Sequence, residues 1–194
     1  TKVVEPVLQK DGGSIYYINL SQDDFKLGGS SFAQVLNKIG NEAPTVKDSE
    51  FFKKAFNAIQ ELILDGQILA GHDIGSGGLV TTLLEMCFAD LDLGAQINLD
   101  GFGEKDPVKI VFSENIGIVF QAKNDQFVEQ KLQGIEYFKI GKVTNRATLD
   151  FRLSSFDFKF DINEYRDTWF ETSYLLDRKQ SKNGMAEERF KNYK

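Results

Sequence analysis

The chain has 194 residues and a formal net charge of −6. This length suits one domain with an appendage, and a chain of this size buries about 70% of its unfolded surface, so it needs no disulfide or metal to hold a core. The acidic balance argues against a nucleic-acid partner, which would favour a basic face.

The sequence contains no targeting or membrane signal. It has no signal peptide, and no apolar run approaches the roughly 20 residues that a membrane-spanning helix needs. We therefore expect a cytoplasmic protein without a membrane partner. Since the chain begins at Thr1 with no initiating Met, we also expect it to be part of a longer protein. The single cysteine, Cys87, has apolar neighbours and no adjoining cation, which favours a buried thiol over a reactive nucleophile.

The first third of the chain predicts one strand and two helices. Residues 14–20 are rich in β-forming side chains. A helix between Ser30 and Gly40 is predicted by apolar residues recurring every three or four positions: Phe32, Val35, Leu36 and Ile39. A longer helix, capped at Asp48 or the next residue and ended by Gly66, has an apolar face that must pack on a sheet or another helix: Phe52, Ala55, Phe56, Ile59, Leu62 and Ile63.

The segment 71–90 carries the strongest functional signal. An apolar run leads into His72 and Asp73, glycines surround Ser76, and a helix over 78–90 follows. A glycine-rich turn that leads into a helix N-terminus brings unpaired N–H groups and partial positive charge together, which suits a phosphate oxygen. Asp73 beside it could hold the Mg²⁺ of a nucleoside triphosphate, while the alternative is a plain strand-to-helix connection.

The rest of the chain continues the alternation of strands and helices. Its apolar patterns predict strands at 93–99, 108–112, 116–122 and 136–143, a half-buried hairpin at 147–160, and helices at 124–133 and 162–178. Several helices on one mixed, mostly antiparallel sheet give an α+β fold.

Three motifs, in order along the chain, resemble the long form of the phosphoribosylformylglycinamidine synthase (FGAM synthase) family. Gly71 to Ala89 resembles its His-Asp-x-Ser-Asp/Gly-Gly-Gly-Leu…Glu-Met-(Ala/Cys)-Phe-Ala segment. Lys26 to Pro44 resembles its Leu-Gly-Gly-Ser…Gly-x-Glu-Ala-Pro stretch. Arg166 to Tyr174 resembles its Trp-x-Glu-Thr-(Ser/Thr) helix. The resemblance implies the C-terminal domain of the aminoimidazole ribonucleotide synthetase-like superfamily, from the second synthetase half.

The resemblance also implies a function in purine biosynthesis. These ligases activate the amide oxygen of formylglycinamide ribonucleotide with ATP and Mg²⁺, and ammonia from glutamine then displaces phosphate to give the amidine. The partners would be the other synthetase subdomains and a glutaminase domain of the same full-length chain. The isolated fragment should be inactive. The alternatives are a selenophosphate synthetase-like or thiamine-monophosphate kinase-like protein, and a non-catalytic interaction module.

The family's nucleotide motif assigns roles to four residues. The Asp after His is a ligand of nucleotide-bound Mg²⁺ in the family, which implies that role for Asp73; the alternative is that Asp73 caps the turn. The family's Ser two positions later contacts nucleotide, but Gly75 stands there and the serine follows at Ser76. The predicted ATP-binding residues are Gly75, Ser76 and Gly77, with a backbone N–H able to replace the side-chain contact.

Three other residues are candidates for phosphate or loop contacts. Ser30 is either an N-cap or a phosphate ligand. His72, the only histidine, lacks a second imidazole or carboxylate in a metal-binding pattern, so we expect it to orient the loop. Glu114 matches the family's Asn/Ser-Glu-x-x-Gly turn, although it could only end a strand.

The end of the chain predicts an interface. We expect a synthetase-like C-terminal domain over 1–178 and a charged linker toward a missing glutaminase domain over 179–194. The final predicted helix has more apolar surface than one helix face needs, so part of it should stay exposed or form a dimer of the fragment: Trp169, Phe170, Tyr174, Leu175 and Leu176. Its aromatic residues suit packing against a neighbouring domain better than binding a base.

Overall fold

A computed structural model describes residues 2–154 and 156–192. Its core is one seven-stranded sheet in the order β2-β4-β1-β5-β3-β6-β7. Every neighbouring pair is antiparallel except β3–β6, which confirms the predicted mixed, mostly antiparallel sheet. The strands are β1 Ile15–Asn19, β2 Ile68–Asp73, β3 Gly94–Asn98, β4 Gly117–Ala122, β5 Phe138–Thr144, β6 Thr148–Leu153 and β7 Phe156–Asp161.

Helices cover both faces of the sheet. They are α1 Ser31–Val35, α2 Ser49–Leu64, α3 Gly78–Cys87, α4 Pro107–Phe112, α5 Asp125–Lys131, α6 Ile162–Gln180 and α7 Met185–Asn192. Helices α2 and α5 pack on one face, where Leu62 and Val128 share a cluster with Phe120 of β4. Helices α3 and α4 lie on the other face, where Leu83 and Ile110 are buried with Phe151 of β6. These two layers give the predicted α+β fold.

Two of the sequence predictions are wrong in the structure. Residues 108–112 form helix α4, because Asp106 caps the helix by accepting a hydrogen bond from Val108 N and Pro107 starts it with a fixed φ. The helix predicted up to Gly40 is only the short α1, since Asn37 takes a positive φ of 54° and turns the chain. Three apolar side chains of that prediction are exposed: Val35, Leu36 and Ile39.

The C-terminal part confirms the predicted hairpin and final helix. Strands β6 and β7 pair from Leu149↔Phe160 to Leu153↔Phe156, and α6 follows them directly. Helix α7 lies within the predicted 179–194 linker and contacts α6. Thr1, Ser155, Tyr193 and Lys194, which belong to the predicted domain, hairpin and linker, lie outside the described residues.

The surface of α6 agrees with the predicted interface. Trp169 is 53% exposed and Leu175 and Leu176 are also exposed, so these three apolar side chains are not buried by the described residues.

Cys87 is buried, and burial raises the pKa of its thiol to about 12, as suits a structural thiol. Among the described residues, no helix combines the length and apolar character needed to cross a membrane.

Asp125 joins helix α5 to two strands. Its carboxylate accepts hydrogen bonds from Ser14 N at 2.9 Å and Ser14 Oγ at 2.6 Å, and Lys139 Nζ lies 2.8 Å away. Partial burial acts to raise the pKa of this carboxyl, but the hydrogen bonds from Lys139 and Ser14 outweigh it and lower the pKa to about 2. The charged form of Asp125 therefore stabilises the fold.

This pKa shift predicts acid sensitivity. The unfolded chain binds the Asp125 proton more tightly than the folded chain, so the free energy of unfolding should fall as pH drops from about 4 toward 2, by up to about 2 kcal/mol. Asp125→Asn should flatten this part of the curve in urea unfolding at a series of pH values, whereas Asp11→Asn should not. An unchanged slope in Asp125→Asn would contradict the assignment.

Candidate functional site

Three segments that the sequence singles out meet beside the end of β2. Glu114, between α4 and β4, accepts hydrogen bonds at its Oε1 from Ser31 N and from Gly77 N, both at 2.8 Å. Ser31 follows the Gly28-Gly29-Ser30 segment, and Gly77 belongs to the glycine-rich turn of residues 74–78. One carboxylate oxygen therefore holds the two glycine-rich segments together.

The glycine-rich turn has a backbone that only glycine adopts without strain. Gly77 and Gly78 have φ values of +88° and +73°. A Cβ at Gly78 would lie 2.7 Å from the carbonyl oxygens of Val111 and Ser113, and one at Gly77 would meet Thr81 Oγ1. The turn therefore packs closely on α4 while it begins α3.

The outer side of this turn offers free donors. Gly75 and Ser76 are exposed, and in the described part of the chain their N–H groups have no hydrogen-bond partner. Gly77, the N-cap of α3, provides no side-chain cap. Of the three predicted ATP-binding residues, Gly75 and Ser76 thus present unpaired N–H groups, while the Gly77 N–H already donates to Glu114.

Asp73 is the last residue of β2, directly before the turn. Its side chain is 84% exposed, and His72 Nδ1 lies 3.4 Å from Asp73 Oδ1. Within residues 2–154 and 156–192 the Asp73 carboxylate accepts no backbone hydrogen bond, so the structure gives no support to the alternative that it caps the turn.

His72 is held from two sides. Its Nδ1 lies 2.7 Å from the Asp73 carbonyl oxygen and its Nε2 lies 3.2 Å from Glu85 Oε2 on α3. Burial raises the pKa of Glu85, against the opposing effect of His72. This arrangement fits the predicted role of orienting the loop. Sequence reasoning placed Glu85 in the family motif but gave it no role.

Ser30 acts as a helix cap. Its Oγ accepts a hydrogen bond from Ala33 N at 3.2 Å and donates one to the Leu27 carbonyl at 2.7 Å, and the residue is buried. Both capacities of the hydroxyl are thus used inside the chain, as the N-cap alternative predicts.

Two buried residues that sequence reasoning missed hold the segment before α1. Asp23 accepts hydrogen bonds from Lys26 Nζ and from Thr45 N, and Asn115, next to Glu114, donates to the Asp23 carbonyl. Both residues were missed because the sequence does not show that a polar residue is buried beside the candidate site.

The described residues include no group of three or more His, Cys, Asp or Glu side chains that could hold a metal ion. The exposed Asp73 carboxylate still fits Mg²⁺, because Mg²⁺ commonly takes one or two carboxylates together with phosphate oxygens and water. A Mg²⁺ ion here would need phosphate and ligands from outside this chain.

The chain is similar in sequence to known proteins over most of its length. The family described as AIR synthase related protein, C-terminal domain, matches residues 10–154. A probable chloroplastic/mitochondrial phosphoribosylformylglycinamidine synthase of Arabidopsis thaliana is 34% identical over 187 residues, which cover 93% of this chain and 13% of that protein. A probable phosphoribosylformylglycinamidine synthase of Caenorhabditis elegans is 36% identical over 159 residues, covering 74% of this chain and 12% of the relative. The chain thus spans only a small part of these relatives.

Solved structures show the same fold. Thermotoga maritima PurL complexed with FGAR aligns with a TM-score of 0.64 at 17% identity, covering 84% of this chain and 29% of that one. PurL complexed with ATP aligns with a TM-score of 0.60 at 15% identity, covering 84% and 27%. The HypE–HypF complex aligns with a TM-score of 0.53 at 16% identity, covering 81% and 55%.

Proposed function

This chain belongs to the family of C-terminal domains of AIR synthase related proteins, and on that basis we propose that it is part of a phosphoribosylformylglycinamidine synthase. The full-length protein would use ATP and glutamine to convert formylglycinamide ribonucleotide to the amidine in purine biosynthesis. The observation that carries the proposal is the junction at Glu114, which joins two of the three family motifs, those at Lys26–Pro44 and Gly71–Ala89.

The comparisons support this proposal over the alternatives. Relatives named phosphoribosylformylglycinamidine synthase match at 34% and 36% identity, which favours that enzyme over a selenophosphate synthetase-like or thiamine-monophosphate kinase-like protein. The glycine-rich turn with its free N–H groups also disfavours a non-catalytic interaction module.

The site residues would bind and orient the nucleotide. Gly75 and Ser76 donate their free N–H groups to phosphate oxygens, where the N-terminus of α3 adds partial positive charge. Asp73 would hold Mg²⁺, which when bound would supply charge neutralisation at the transferred phosphoryl group. Glu114 keeps the turn in place through Gly77, and His72 and Glu85 fix the backbone at Asp73. Ser30 serves the site by starting α1 and so placing Ser31.

The remaining groups would come from the same full-length chain. We propose that this domain belongs to the second of two synthetase-like halves, and that residues 179–194 lead toward a glutaminase domain. A neighbouring domain would cover the exposed apolar side of α6 around Trp169, and a dimer of the fragment through this side stays a prediction. A cytoplasmic location also stays a prediction.

The isolated 194-residue chain should fold cooperatively but show neither glutamine hydrolysis nor amidine formation, because catalysis requires groups from several domains held together. The full-length protein should form the amidine from formylglycinamide ribonucleotide only when ATP, Mg²⁺ and an ammonia source are present. Both proteins would be assayed for glutamate and phosphate release. Glutamine hydrolysis by the isolated chain, or a full-length protein that phosphorylates a different substrate, would overturn the proposal.

A further inference from the structure

Strand β7 is an open edge of the sheet. It pairs with β6 on one side, and no backbone hydrogen bond to its other side is present among the described residues. The opposite edge strand, β2, receives a contact from the N-terminal segment, since Gly71 N donates to the Glu5 carbonyl at 3.2 Å. Strand β7 follows residues 10–154, which the family model matches.

The two faces of β7 differ in chemistry. Phe158 and Phe160 pack against the core on one face, and Phe156 in the same row is 64% exposed. The other face presents Asp157 and Lys159, which lie opposite Arg152 and Asp150 of β6. An edge strand with unpaired N–H and C=O groups is a template for adding another strand, and the side chains that it presents decide which strand fits.

We propose that the β7 edge binds a second copy of this chain, antiparallel and with a two-fold axis at Phe158. In this register Asp157 faces the partner's Lys159 and Phe156 faces the partner's Phe160, twice each, and Phe158 faces its own copy. The two sheets then continue as one. Across the junction the charges alternate from Arg152 to Asp157, the partner's Lys159 and the partner's Asp150.

The alternation of an antiparallel ladder limits the choice of register. Every second residue of an edge strand points its N–H and C=O groups outward. In an antiparallel pair these outward residues must lie opposite one another, so the two-fold axis must lie between one residue and the same residue of the partner. An axis at Asp157 or Lys159 places like charges opposite each other, which destabilises a sheet. An axis at Phe160 would require Ile162, which already belongs to α6.

The proposed register also covers apolar surface. The exposed ring of Phe156 would pack against the partner's Phe160, and aromatic cross-strand pairs of this kind stabilise a sheet. The interface is small, so we expect a weak, concentration-dependent dimer rather than a permanent one.

Charge reversal tests the register directly. In a dimer of Asp157→Lys, each new lysine faces the partner's Lys159, and in a dimer of Lys159→Asp each new aspartate faces the partner's Asp157. Each variant alone therefore creates two like-charge pairs and should raise the dissociation constant about tenfold or more. An equal mixture of the two variants restores both opposite-charge pairs and should dimerise as the original chain does. Sedimentation velocity over a concentration series measures this, with thermal melts to verify folding and Lys53→Asp on α2 as the control.

A cysteine at the axis gives a second, independent readout. Phe158→Cys should form a disulfide-linked dimer under mild oxidation, whereas Phe156→Cys should not, because Phe156 faces the partner's Phe160. The native Cys87 is buried and adds no background. The proposal is overturned if the chain is monomeric at every concentration, if both charge variants dimerise as well alone as when mixed, or if Phe156→Cys cross-links as readily as Phe158→Cys.

Discussion

Replacing Asp73 by Asn in the full-length protein is expected to lower turnover by roughly a hundredfold, about 2.7 kcal/mol of barrier, at unchanged melting temperature. The substitution keeps the shape of the side chain but removes the negative charge that would hold Mg²⁺. Stability should not change, because the side chain is 84% exposed and accepts no backbone hydrogen bond in the described part of the chain. Steady-state kinetics at saturating Mg²⁺ and a thermal melt of the same sample measure the two effects.

A matched variant separates the loss of this charge from the loss of any surface charge. Asp11→Asn changes another exposed aspartate far from the glycine-rich turn in sequence, and its turnover should stay within twofold of the original, roughly 0.4 kcal/mol. Near-normal turnover in Asp73→Asn would remove Asp73 from the list of Mg²⁺ ligands, and the family motif would then describe only a turn.

Replacing Glu114 by Ala is expected to damage both stability and activity. The substitution leaves the N–H groups of Ser31 and Gly77 without their acceptor, and a partly buried unsatisfied donor costs about 1–3 kcal/mol. With two such donors, the free energy of unfolding of the 194-residue chain should fall by roughly 2–6 kcal/mol in urea titration. In the full-length protein turnover should fall as well, since the turn that carries Gly75 and Ser76 loses its anchor.

The conservative variant identifies the reason for that loss. Glu114→Gln keeps a carbonyl oxygen that can accept both hydrogen bonds, so it should recover most of the stability. Glu171→Ala, on the exposed side of α6, removes the same number of atoms and should change the free energy of unfolding by less than about 0.5 kcal/mol. If Glu114→Ala unfolds at the same urea concentration as the original chain, the proposed junction has no structural role.

Much of the fold could be predicted because local patterns and tertiary packing agree. The predicted strand 14–20, the helix after Asp48 and the 147–160 hairpin each combine a clear apolar period with a turn or cap at the end, and each is present. The prediction failed at 108–112, where the apolar pattern indicated a strand but the Asp106 cap and Pro107 start a helix. It also failed after Val35, because the apolar residues there are not buried in this chain.

The residues of the candidate site could be predicted from the sequence, but their arrangement in space could not. Glycine spacing identified the turn, because a backbone with positive φ favours glycine. The family motif identified Asp73 and Glu114. That one oxygen of Glu114 joins Ser31 and Gly77, which are far apart in sequence, depends on how α4 packs against α3. Likewise, the pairing of His72 with Glu85 follows from the placement of α3 beside β2, which no local pattern specifies.

The central position of β1 has a consequence for how the chain is made. Ile15 pairs with Gln121 of β4 and with Gly141 of β5, so this strand must wait during synthesis for residues made more than a hundred positions later. At about 5–20 residues per second, that delay is roughly 6–25 s. Throughout it the apolar side chains of Tyr16 and Ile18, fully buried in the finished fold, have no native partner strand. The sheet therefore closes late, around the earliest of its seven strands, and we expect the partly synthesised domain to be most prone to aggregation before β5 has emerged.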